Sequence, residues 1–338
     1  MRLTTPTRRL RSAALIGGAA LSLVLTGFGA PAAAVPADSA AAPVSPHTTG
    51  ADDNAPPRAV VPARAATAAG GAGFSGTTGS GALTPSTSPA VTGARAPGAG
   101  LSGGFGADSV IGTDNRTRVN PTTTYPTSAI VQIIRVDGST TWGCTGWVYG
   151  PNIIATAGHC VHPGGGADGG GGNGFYPRAN YTIVPARNGG TNPYGTCTAT
   201  QLMSVNGWMA DGSADYDYGA IRLSCNAGAS TGTFGFWWQS ASLNGTATTV
   251  SGYPCDKTFG EQWRHAGMSV TSTAARRVYY QNDTAGCQSG APVYQNRAAG
   301  SSFCVGQCTM AIHAYGGSSN SGTRITEPVY NNLISWRG

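Results

Sequence analysis

The chain has 338 residues, 52 of them Gly and 21 Pro, with only 10% charged residues and a formal net charge of +6. Such a composition excludes a coiled coil or a long helical array, and beyond the N-terminus no apolar run is long enough to span a bilayer. Four of the twenty basic residues fall in the first eleven positions, and from 109 onward 13 Arg or Lys face 10 Asp or Glu without clustering, so the charge does not call for a nucleic-acid partner.

Residues 1–34 carry Arg2, Arg8, Arg9 and Arg11, an apolar run over 13–25 and the small-residue end Ala32-Ala33-Ala34. This pattern reads as a secretory signal peptide, its apolar run being too short for a membrane anchor. Arg8-Arg9 fits a twin-arginine signal without separating the two export routes. From 35 to 108, 56 of 74 residues are Ala, Pro, Gly, Ser or Thr and nine are Val, Leu or Phe. Burial of so little apolar surface does not offset the entropy of ordering, so the segment reads as a propeptide largely disordered in isolation. A permanent flexible tail is the alternative.

All seven Trp, all thirteen Tyr and all eight Cys lie beyond 108, so the core and its staples belong to 109–338. Short apolar or alternating runs predict strands over 129–136, 145–149, 152–156, 181–184, 219–223, 247–251, 277–281 and 309–314. This spacing indicates an all-β sandwich or barrel. Only the end reads as helix, where Glu327-Pro328 opens a run with Val329, Leu333 and Trp336. The Gly-rich stretch 163–174 is expected to be a mobile surface loop.

Three short motifs carry chemistry. Thr156-Ala157-Gly158-His159-Cys160 places a histidine at a strand end. Asp215-Tyr216-Asp217-Tyr218-Gly219 brings a carboxylate to the mouth of an apolar strand, where it is buried only if paired. Gly286-Cys287-Gln288-Ser289-Gly290 exposes a serine in a glycine-flanked turn, and a serine needs a base such as histidine to become a nucleophile.

Together these motifs resemble the chymotrypsin-like serine proteases in their chain order His, Asp, Ser. Along nearly all of 109–338 the closer resemblance is to bacterial secreted glutamyl endopeptidases, carried by Ser109-Val110-Ile111-Gly112, Tyr216-Asp217-Tyr218-Gly219, Ser251-Gly252-Tyr253-Pro254 and Gly322-Thr323-Arg324-Ile325-Thr326. The resemblance implies two antiparallel six-stranded β-barrels, over 109–236 and 237–338, with a C-terminal helix and a disordered propeptide in front. It implies His159 as general base, Asp217 as its orienter with Asp215 as competitor, and Ser289 as nucleophile. The N–H groups of Cys287 and Ser289 would form the oxyanion hole. The expected activity is secreted endopeptidase cleavage after Glu, more slowly after Asp, by a monomer acting on protein or peptide substrates without cofactor, metal or membrane anchor.

The resemblance also assigns Thr284, His313 and the α-amino group of a mature Ser109 as donors to a substrate carboxylate. Asp283 complicates this, since it precedes Ser289 by six residues, the separation at which trypsin-like enzymes carry the aspartate that binds Arg or Lys. It is expected to point away or to pair with a cation, with trypsin-like specificity as the alternative. Gln288 cannot form the ion pair that an aspartate just before the nucleophile makes with a freed N-terminus, which leaves that terminus for substrate. Because the bond before Ser109 follows Asp108, self-processing is expected.

Export and an even cysteine count favour four disulfides. Cys144 with Cys160 and Cys304 with Cys308 follow from the resemblance, and the other four are assigned as Cys255 with Cys287 and Cys197 with Cys225. The absence of paired Cys-x-x-Cys spacing argues against zinc. Related enzymes carry glycine where Cys287 stands, so either a disulfide holds this loop in shape or the hole is misformed, as in an inactive pseudoprotease acting as a binding module; a redox switch is a further possibility.

Overall fold

Runs of alternating or fully apolar residues between Gly, Pro and Asn turns build two barrels in the computed structural model, which describes residues 39–41, 43–45, 58–59, 70–87, 94–95, 109–171 and 174–338. The expected signal peptide lies outside the described residues. The first barrel consists of β1 (Ile130–Asp137), β2 (Thr140–Gly150), β3 (Ile153–Thr156), β4 (Tyr181–Pro185), β5 (Cys197–Val205) and β6 (Gly219–Leu223). Its order is β6-β3-β2-β1-β4-β5, all antiparallel, and the Leu202↔Ile221 pairing of β5 with β6 closes it. Ile133, Val148, Ile154, Ile183, Leu202 and Ile221 fill the interior. Gln132, one of two buried polar residues within β1, is tolerated because its Oε1 accepts from buried Arg187 at 3.0 Å.

A strand β7 (Gly235–Gln239) leads to β8 (Ala247–Gly252), β9 (Trp263–Thr273), β10 (Arg277–Tyr280), β11 (Pro292–Arg297), β12 (Gly306–Tyr315) and β13 (Asn320–Arg324). Strands β8 to β13 form the second barrel in the order β11-β8-β9-β10-β13-β12, closed by β11 against β12. β7 runs parallel to β12 on its outer side and spans the expected 236/237 boundary. The closing helix α1 (Glu327–Arg337), with Pro in its first turn, buries Val329, Tyr330, Leu333 and Trp336 in the first core. There the Tyr330 ring lies 5.2 Å from Phe236 of β7.

The segment expected to be disordered alone takes shape against the barrels where it is described. Gly71–Phe74 pairs antiparallel with β7, with Gly73 opposite Trp237. Ser86–Thr87 pairs with Thr191–Asn192, and Pro43–Ser45 with the end of β5. A Cβ on Gly73 would stand 2.3 Å from the Phe303 carbonyl oxygen, so only glycine permits this approach.

Candidate active site

The first barrel supplies the histidine and the acid. β3 ends in the tight turn Gly158–Cys160, and a Cβ on Gly158 would meet the Trp208 ring at 2.8 Å and Asp217 Oδ1 at 3.0 Å, so glycine lets the turn close on the acid. Asp217 is fully buried two residues before β6. Its Oδ1 accepts the His159 backbone N–H at 2.8 Å, and its Oδ2 lies 2.7 Å from His159 Nδ1. The same Oδ2 accepts the hydroxyl of Tyr315, and the Asp217 carbonyl accepts Thr323 Oγ1 at 3.0 Å. Asp215, the competitor, is exposed.

The second barrel supplies the serine turn and seats it against the first. Gly290 has φ +90°, and a Cβ there would stand 2.1 Å from the Thr145 carbonyl oxygen and 2.2 Å from Thr156 Oγ1. Thr145 N–H donates to the Ser289 carbonyl at 2.9 Å, and Gly290 N–H donates to the His313 carbonyl at 2.7 Å. Cys160 Sγ touches the Ser289 carbonyl oxygen at 3.7 Å and lies within 4.8 Å of a His159 ring nitrogen, which brings the serine turn beside the histidine.

Cys287 has φ 76°, a conformation that favours glycine. It is held there by three restraints: a disulfide to Cys255, a 2.8 Å bond from Cys255 N–H to the Gly286 carbonyl, and a 3.1 Å bond from Thr145 Oγ1 to the Cys287 carbonyl. Gln288 N–H donates to Ala285, whereas the N–H groups of Cys287 and Ser289 donate no hydrogen bond among the described residues. The other disulfides join Cys144 to Cys160, Cys197 to Cys225 and Cys304 to Cys308.

The residues assigned to the specificity pocket fall in one region. Thr284 is fully buried, and its hydroxyl has no partner among the described residues. His313, fully buried in β12, has Nδ1 2.6 Å from the Tyr280 hydroxyl, which fixes the ring. Ser109 is seated beside them: its carbonyl accepts Thr284 N–H at 3.1 Å and Asn320 Nδ2 at 2.6 Å, while its own N donates to Asn320 Oδ1 at 3.1 Å. Asp283 is turned onto the segment that follows Ser109, accepting the N–H groups of Ile111 and Asn115, each at 2.8 Å. A cavity of about 610 Å³ lies on that side of Asp283, against Ile111 and Asn115, and is lined by none of His159, Asp217 and Ser289.

Tyr315, Tyr280 and Arg116 escaped the sequence reading as working side chains. Arg116 is buried, bonded to Asp114 and Asp256, and reaches Gln288 Oε1 at 3.4 Å. No local motif marks these three as part of the site, since Tyr280 reaches His313, Tyr315 reaches Asp217 and Arg116 reaches Gln288 across at least 33 residues of chain. Among the described residues the one grouping with metal-ligand potential is Cys144, His159 and Cys160, and it does not suit a metal because both sulfurs are in a disulfide.

Residues 116–334 match the trypsin family. The chain is 44% identical over 237 residues to a glutamyl endopeptidase of Bacillus licheniformis, spanning 69% of this chain and 70% of that protein. It is also 43% identical over 232 residues to a Bacillus subtilis protein named extracellular metalloprotease, spanning 68% and 69%. A solved Glu endopeptidase structure superposes with a TM-score of 0.54 at 27% identity, covering 68% of this chain and 99% of that one.

Proposed function

The chain belongs to the trypsin family of serine endopeptidases and is a homologue of the glutamyl endopeptidases, and from that premise we propose that it is exported and cleaves peptide bonds after Glu, and more slowly after Asp. In this reading His159 Nε2 takes the proton of Ser289 Oγ as the oxygen attacks the scissile carbonyl. Asp217 holds the ring through Nδ1, as its 2.7 Å contact allows. The N–H groups of Cys287 and Ser289 receive the developing oxyanion, His159 returns the proton to the departing amine, and water then hydrolyses the acyl-enzyme on Ser289.

The specificity rests on one contrast. Asp283 has both carboxylate oxygens committed to backbone N–H groups, while Thr284, next in sequence, keeps a buried hydroxyl without a partner among the described residues. A pocket walled by Thr284 and His313 offers donors to a carboxylate, and an anion needs such donors to be buried. Release of the α-amino group at Ser109 by processing would add a positive charge at a residue already bonded to Thr284.

Residues 1–34 then act in export and 35–108 as the propeptide of a zymogen, with cleavage at the Asp108–Ser109 bond by the enzyme itself. Ser289→Ala tests the nucleophile and this maturation together. Purified variant should neither hydrolyse Glu peptides, nor bind a serine-directed phosphonate, nor release Ser109 as a new N-terminus. Phosphonate labelling of the variant at wild-type rate, or prompt cleavage at that bond, counts against the assignment.

A further inference from the structure

Among the described residues, a cavity of about 430 Å³ borders the triad region through Tyr315 and carries a cation that the mechanism does not use. Arg277 and Tyr279 of β10 form one wall, and Tyr315, Gly316 and Gly317 another; the rest of the lining is Ser and Thr, with no acidic residue. The Arg277 guanidinium lies 4.8 Å from the Tyr315 ring centroid and 5.6 Å from that of Tyr279. It also donates to Ser321 Oγ through one terminal nitrogen, and the residue lines the cavity. A guanidinium held between two aromatic faces, with donor capacity left over, is arranged to receive a carboxylate.

The position of the cavity says which substrate residue reaches it. The Tyr315 ring centroid is 6.2 Å from that of His159, and its hydroxyl is fixed on Asp217. One wall is therefore rigid and close to the reacting centre. An extended peptide rises about 3.3 Å per residue, so a substrate strand laid along the edge from Ala314 to Gly317 brings residues two to four places before the scissile bond within range.

We propose that this cavity is a subsite for an acidic side chain at one of the positions P2 to P4, selected by Arg277. The proposal rests on the reading of Ser289 as nucleophile and on a substrate strand that runs along 314–317, and it adds a second acidic preference separate from the one at P1.

The test uses the mature enzyme and peptides with Glu at P1 and Glu, Ala or Lys placed at P2, P3 or P4 in turn. At one of these positions Glu should raise kcat/KM about tenfold over Ala, the order expected for one charge-assisted hydrogen bond, and Lys should lower it. In Arg277→Gln the Glu-to-Ala ratio should collapse towards one. In Arg277→Glu the preference should invert towards Lys, which a merely destabilised protein would not do. Efficient cleavage after P1 Glu with equal rates for Glu, Ala and Lys upstream, or a preference that survives Arg277→Gln, overturns the subsite alone. Failure to cleave after Glu in every peptide tells instead against the reading beneath it.

Discussion

Asp217 and Tyr315 show how a single hydroxyl can tune the proposed base. Burial pushes the Asp217 carboxyl upward, but attraction to the His159 ring and hydrogen bonds from His159 and Tyr315 outweigh it and hold the group below the usual carboxylate range. The contribution of this carboxylate to stability is therefore fully present above the unfolded value of about 4 and is lost progressively as pH falls from there through the lowered folded value. Removing the Tyr315 hydroxyl leaves more negative charge facing His159, which favours the imidazolium and raises its pKa. Tyr315→Phe should lower kcat on a Glu peptide about tenfold with little change in KM, the loss expected for one charged hydrogen bond, and should move the acidic limb of the kcat profile upward. A purely structural tyrosine would leave that limb in place. As candidates, His159, Asp217 and Ser289 stood out in the sequence because each sits in a short stretch with its own local chemistry. Tyr315 did not, because its bond to Asp217 spans 98 residues and exists only once both barrels are packed.

Eight strands with apolar residues on a core face were legible, whereas β5, β7 and β11 were missed despite buried Leu202, Phe236 and Val293, and β9 and β13 carry little apolar signal at all. β9 reads WRHAGMSVTST, and only His265 and Val270 of it are buried, so its apolar alternation is too sparse to announce it. β13 reads NSGTR and is buried throughout. Its polar side chains are satisfied by tertiary partners: Asn320 bonds Ser109 and Asn282, Thr323 bonds Asp217, and Arg324 bonds the carbonyls of Gln239 and Ala241. The docking of Gly71–Phe74 was equally hidden, since low apolar content speaks to a segment alone and not to one paired with β7. Gly73→Ala should break that pairing, because its Cβ would meet the Phe303 carbonyl oxygen at 2.3 Å. In the unprocessed chain, hydrogen exchange should then accelerate at β7 amides while the 287–290 turn keeps its rate. Unchanged protection of β7 would show that the strand is not held by this contact.

The two barrels divide the proposed chemistry between them. The first holds base and acid, the second holds the nucleophile turn and the pocket, and Thr145, Gly290 and Tyr315 tie one to the other. The low charge of the sequence acquires a sense here, since within 109–338 only Glu261 and Glu327 are glutamates, which leaves a Glu-cleaving enzyme few sites on itself. The proposed specificity rests on what the pocket accepts. The most direct measurement is kcat/KM of the mature enzyme on peptides that differ only at P1, carrying Glu, Asp, Lys, Arg or Leu, repeated with Thr284→Val. Glu should lead, with Asp second and the rest far behind, and Thr284→Val should reduce the Glu rate at least about tenfold by removing a buried donor to a charge. A preference for Lys or Arg would return the pocket to Asp283 and contradict the assignment.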